Sequence, residues 1–153
     1  MYKLWVLSCL LLSCAIAKRR RKLHARELPI ATPQFKNCNN CYAVVAYDIL
    51  KYHKPKLNVT VESLMDDSRQ NCAGGTAKLI WDLYMQKTII TTANIPKLIR
   101  LLKNGPVGIA IEKGHLVTAI TASKHGVLIR DPRDAQEKII EGKHFFKYVT
   151  YPI

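Results

Sequence analysis

The chemistry available to this sequence begins with its thiols. Five cysteines are present, but Cys9 and Cys14 lie in residues 1–17, which have the build of a secretory signal peptide. Lys3 precedes an apolar run from Leu4 to Leu12, and Ala15-Ile16-Ala17 supplies the small-residue cleavage pattern. That run is shorter than the ~20 residues a helix needs to cross a bilayer, so no membrane anchor is expected. The mature chain then keeps Cys38, Cys41 and Cys72 in an oxidising compartment, secreted or lumenal. An odd count there predicts one disulfide and one free thiol, or pairing with another chain. Cys38 and Cys41 are too close in sequence for a relaxed bridge, whereas Cys72 stands in a loop opened by Gly74-Gly75 and can reach either. Pairing with Cys38 leaves Cys41 free; pairing with Cys41 leaves Cys38 over. Helix position gives the first a modest edge. Cys41 opens a helix, where unsatisfied backbone N–H groups and the positive end of the helix dipole favour the thiolate. A thiolate is a nucleophile, and a neighbouring imidazole would complete its activation.

The histidines are His24, His53, His115, His125 and His144. His24 sits in a basic run, His53 beside the helix-ending Pro55, His125 in a turn and His144 ahead of a weakly alternating strand. The first two look bland, and neither His125 nor His144 has an evident partner. His115 is different, because it begins the strand Leu116-Val117-Thr118-Ala119-Ile120. Ser123-Lys124-His125-Gly126 turns that strand back into Val127-Leu128-Ile129-Arg130. Folding the hairpin about Ser123 sets His115 opposite Asp131; centring the turn on Lys124-His125 sets Asp134 there instead. Antiparallel partners have Cβ atoms about 5 Å apart, close enough for a carboxylate to hold an imidazole. Such a carboxylate fixes the tautomer and stabilises the imidazolium. Cys41, His115 and Asp131 are therefore the candidate catalytic residues.

The elements that must position them follow from punctuation and periodicity. The 153 residues are enough for one domain, and 48% hydrophobic with 23% charged residues is globular composition. Asn40 is placed to cap a helix from Cys41 to Tyr52, with Val44, Val45, Ile49 and Leu50 as its apolar stripe. Thr60 caps Val61 to Asp67, Thr76 opens a helix through Tyr84, and Asn94 caps one that Asn104-Gly105-Pro106 stops. After Pro106 strands are predicted over residues 107–111, 116–122, 127–130 and 145–151. Helices first and strands second predict an α+β domain, a helical N-terminal half packed on a mostly antiparallel sheet. The division is a signal peptide at 1–17, a basic leader at 18–31 and the domain at 32–153.

The formal charge of +13 is unevenly placed: basic residues crowd the leader, Lys18-Arg19-Arg20-Arg21-Lys22 and then Arg26, while the body from Leu28 onward carries +7. No aromatics interleave with it, so base stacking and nucleic-acid binding are not expected. Asn58-Val59-Thr60 is a glycosylation sequon, usable at Asn58 behind a signal peptide. No metal-ligand spacing and no nucleotide-binding motif appears, so neither metal nor cofactor is expected. The sequence carries no signal for oligomeric state.

Cys38-Asn39-Asn40-Cys41-Tyr42-Ala43 resembles the C-G-S-C-W-A segment of papain-like cysteine proteases. Asn71-Cys72-Ala73-Gly74-Gly75 resembles their G-C-N-G-G loop, and Asn104 to Ile111 their G-P-V-x-V-A-I strand. The resemblance implies Cys41 as nucleophile, His115 as general base and acid, and Cys38–Cys72 as the structural disulfide. Two departures accompany it. Asp131-Pro132 stands where that family has Asn, and only 74 residues separate Cys41 from His115 against roughly 130–150 in that family. In this the C-terminal half resembles the compact papain-fold peptidases that trim double-glycine leader peptides. Gln34 matches the oxyanion-hole Gln, set one residue further from the first Cys than in the family.

These features lead to the expectation of a secreted or lumenal thiol peptidase acting on a peptide or protein substrate through an acyl-enzyme. The alternatives are a Cys-His-Asp acyltransferase or amidase, and a catalytically dead cationic binding protein.

Overall fold

The computed structural model describes residues 28–112, 114–141 and 145–152. The signal-peptide segment, most of the basic leader, His24 and His144 lie outside the described residues. Asn58 is exposed just ahead of the second helix.

Helix α1 (Cys41–His53) forms where apolar residues recur at helical spacing, and Val44, Val45, Ile49 and Leu50 are all buried. Its N-terminus departs from expectation. Asn40 makes no side-chain cap. Its Oδ1 instead accepts from the Phe35 backbone N–H at 3.1 Å, and its Nδ2 faces Met65 Sδ at 3.7 Å. A fully buried amide satisfies the loop and the neighbouring helix at the cap's expense. Helix α2 (Val61–Asp67) starts with a capping box between Thr60 and Ser63. Helix α3 (Ala77–Tyr84) is capped by Thr76, and α4 (Ile95–Leu102) by Asn94 with Pro96 in its first turn.

Six strands make one antiparallel sheet: β1 (Thr88–Asn94), β2 (Val107–Glu112), β3 (His115–Ser123), β4 (Gly126–Asp131), β5 (Gln136–Ile140) and β6 (Phe145–Pro152). Their spatial order is β1-β6-β2-β3-β4-β5. The two edge strands escape sequence reasoning. β1 is β-branched but does not alternate, and β5 reads Gln-Glu-Lys-Ile-Ile with its first four residues exposed. Charged, exposed residues are how a sheet edge avoids further pairing.

The sheet is covered on both faces rather than one. Alternation sends Leu116, Ala110 and Tyr148 to the side packed by α1, α2 and α3, around Trp81, Ile49 and Leu64. Val117, Ile109 and Val149 face the other way, onto Leu98 of α4 and Phe146. The four helices of the described residues are thus split three and one across the sheet. On the α1 side, Gly108 admits Thr150, Val45 and Trp81, whose atoms would lie 3.0–3.4 Å from any Cβ there.

A buried polar contact locks α1 to the strands. Asp48 Oδ2 accepts from Thr118 Oγ1 on β3 at 3.0 Å, and Arg130 Nη1 on β4 lies 3.4 Å from Asp48 Oδ1. Arg130 also donates to the Pro29 carbonyl at 2.8 Å and to Glu137 at 2.9 Å, drawing in the N-terminal segment and β5. Burial raises the Asp48 carboxyl to about 6, even though Arg130 and Thr118 act to lower it. An acid whose folded value exceeds its unfolded value near 3.8 binds more protons when folded. Its contribution to stability is therefore complete below about pH 4 and lost as the pH rises through about 6. Asp48→Asn removes this titration. Denaturant unfolding at pH 4, 5, 6 and 7 should show the variant gaining on the wild type by a few kcal/mol across that interval, then holding level.

Candidate functional site

The cleft lies where the N-terminus of α1 meets the start of β3. It has a volume of about 350 Å³, and Cys41, Tyr42, Gly75, Thr76, Ala77, Ala110, Glu112, Gly114, His115, Leu116 and Tyr148 line it. Cys41 is the first residue of α1, unbridged and buried, at the positive end of a helix that no side chain caps. Its thiol points to the Gly114 carbonyl at 3.8 Å, one residue from His115. Cys38 is bonded to Cys72.

The imidazole of His115 is buried, and its Nε2 lies 2.8 Å from Asp131 Oδ1. The route to this contact differs from a hairpin folded about Ser123. Ser123 pairs with Gly126, so Lys124-His125 form the turn, and a bulge between Ala119 and Thr121 shifts the register by one. Thr118 then faces Arg130, which sets Asp131 across from Val117 and diagonal to His115 on one face of the sheet. Diagonal neighbours are still within side-chain reach. With Nε2 engaged, Nδ1 is the ring nitrogen left for exchange with the cleft.

Asp131 is braced from three sides. Oδ1 also accepts the Arg133 backbone N–H at 3.0 Å, and Oδ2 meets Lys138 Nζ at 2.6 Å. Burial acts to raise this carboxyl, but Lys138, the Arg133 N–H and His115 outweigh it and hold it at about 2. It is ionised across the physiological range. At the rim, Arg133 turns its guanidinium to Glu112 at 3.2 Å.

The opposite wall hangs from the disulfide. Asn39 N–H donates to the Cys72 carbonyl at 2.9 Å, Tyr42 Oη donates to the Asn71 carbonyl at 3.0 Å, and Gln70 spans to both backbone polar groups of Thr76. Burial, and secondarily the neighbouring Cys41, push the Tyr42 phenol up. Gln34 lies elsewhere. Its Nε2 donates to the Cys38 carbonyl at 3.2 Å, its backbone N–H to the Pro132 carbonyl, and it does not line the cleft. Among the described residues no cluster of three or more His, Cys, Asp or Glu is placed to hold a metal ion.

Sequence reasoning missed Lys138, Arg133 and Tyr148. Lys138 lies in the unrecognised edge strand; once β5 pairs with β4, Asp131 opposite Gln136 puts Lys138 two residues along on the same face.

No family model matches the sequence, and no curated protein matches it. Solved structures do share its fold. One is the peptidase domain of Streptococcus ComA, a bifunctional ABC transporter involved in a quorum-sensing pathway. It is 16% identical with a TM-score of 0.55, over 78% of this chain and 94% of that one. Another is a double-glycine motif protease from an AMS/PCAT transporter in complex with its leader peptide. It too is 16% identical at a TM-score of 0.55, over 84% of this chain and 94% of that one. The α+β fold is that of papain-like peptidase domains.

Gly75 offers a direct test of the wall. A Cβ there would lie 2.6 Å from Tyr42 Cζ and collide with Gln70 Oε1. Gly75→Ala should destabilise the protein by about 1–3 kcal/mol, read as a lower midpoint in denaturant, because both packed side chains must move.

Proposed function

We propose that this chain is a secreted or lumenal thiol peptidase that hydrolyses peptide bonds through a covalent acyl-enzyme. The observation that carries this reading is the convergence of two groups on one cleft: an unbridged thiol at a helix N-terminus, and an imidazole held through Nε2 by an ionised, buried carboxylate. The peptidase fold of the solved neighbours supports it, and the leader peptide bound by one of them agrees with a peptide as substrate.

In this mechanism the Cys41 thiolate attacks the scissile carbonyl carbon, forming a C–S bond and a tetrahedral oxyanion. His115 gives the proton on Nδ1 to the leaving amine as the C–N bond breaks. Water, deprotonated by the same nitrogen, then cleaves the thioester and releases the acid, returning Cys41 and His115 to their starting state. Asp131 keeps the ring oriented throughout. Backbone N–H groups at the start of α1 would hold the oxyanion, and the Gln34 amide, which gives one of its two N–H groups to the Cys38 carbonyl, keeps a second donor. Asn58, exposed behind a signal peptide, is the proposed glycosylation site.

A peptide-epoxide inhibitor should label Cys41 in a one-to-one ratio, and casein should be cleaved. Cys41→Ala should lose both, and His115→Gln should lower kcat/KM by about 1000-fold or more. Cleavage that survives Cys41→Ala, or a Cys41 that no epoxide or iodoacetamide modifies, would end the proposal. Transfer of the acyl group to an added amine in preference to water would redirect it to the acyltransferase alternative.

A further inference from the structure

Three side chains form a row across three strands: His115 on β3, Asp131 on β4 and Lys138 on β5. Each is diagonal to the next on one face of the sheet. Contacts run the whole length of the row, 2.8 Å from His115 Nε2 to Asp131 Oδ1 and 2.6 Å from Asp131 Oδ2 to Lys138 Nζ. Resting on the peptidase reading of this site, we propose that Lys138 is a positioning residue. Its ammonium neutralises the Asp131 carboxylate and pins its plane, so that His115 meets a fixed acceptor carrying little net charge.

The need for such a group follows from where Asp131 sits. A lone buried carboxylate stabilises an adjacent imidazolium strongly, and a proton held too tightly passes slowly to a leaving amine. Papain-like enzymes with Asn at this place present a neutral acceptor. Here an acid fills the position, and a cation is built in on its far oxygen. The ammonium in turn is held above the usual lysine range, chiefly by its hydrogen bond to Asp131.

Other charged and titratable groups around His115 do not serve this role. Glu112 on β2 pairs directly across from it but is bound to Arg133. Arg133 gives Asp131 only its backbone N–H. Asp134, in the turn after β4, lies 3.6 Å from Lys138 and adds negative charge. Cys41 and Tyr42 on α1 and Tyr148 on β6 approach from the cleft and bring no cation.

The test uses the full chain and does not require turnover. The His115 imidazole is followed by NMR across pH, assigned by its loss in His115→Gln, in wild type, Lys138→Met and Lys138→Arg. The pH dependence of Cys41 alkylation by iodoacetamide is recorded beside it. Lys138→Met should raise the His115 midpoint by about half to one pH unit and move the alkylation profile to higher pH. Lys138→Arg should restore both to within about 0.2 unit, and Lys138→Gln provides a second charge-removing variant should the Met form fold poorly. A midpoint that stays put in the Met and Gln forms would overturn the proposal, even if stability fell. So would an equal shift in Lys124→Met, an exposed lysine in the β3–β4 turn. A moved midpoint in a chain that cleaves no peptide would uphold the coupling while ending the peptidase reading.

Discussion

The buried contact of Asp48 with Thr118 and Arg130 is the constraint on which the rest of the architecture depends. A helix packed on a sheet by apolar side chains alone can slide or rotate at modest cost, because hydrophobic burial is not directional. A carboxylate that must meet one hydroxyl on β3 and one guanidinium on β4 admits one placement. Because α1 begins at Cys41 and β3 begins at His115, fixing the helix against the strand also fixes the thiol against the imidazole. Asp48 lies two turns into α1 and is not among the residues that line the cleft. The contact is costly to bury, and removing one partner leaves the other unpaired inside the protein.

Around that anchor the site is assembled from separate parts. The helix provides the thiol, the β3–β4 pair provides the imidazole and carboxylate, and the disulfide-held loop provides the far wall. Each is fixed by its own contacts. Cys38–Cys72 ties the loop to the residues just before the nucleophile, and the loop it closes is worth about 3–4 kcal/mol in the chain-entropy account. The bulge in β3 turns a pairing that would have set His115 opposite Asp134 into one that sets it opposite Arg133, with Asp131 in diagonal reach.

Much of this was legible in the residues, and the failures have physical causes. Thr60, Thr76 and Asn94 announced their helices because a short polar side chain before an apolar stripe has little else to do there. Asn40 looked the same, but the fold buries it and gives it better partners at Phe35 and Met65. The proximity of His115 and Asp131 was readable from strand lengths, while the register was not, since bulges leave no mark on the hydrophobic pattern. β5 was hidden because an edge strand is selected for charge rather than alternation, and Lys138 was hidden with it. Asp48 could have been flagged as an acid amid residues that pack inward, but its partners lie 70 and 82 positions away. Only tertiary structure joins them.

The strand order has one further implication, for the moment at which this protein becomes itself. β6 comes last in the described chain, yet it lies inside the sheet between β1 and β2, and β1 pairs with no other described strand. While the polypeptide is still emerging from the ribosome, the sheet therefore has a gap at its second position and a strand with nothing beside it. Closure must wait for β6, so the sheet is completed only after the helices and the other five described strands have been made.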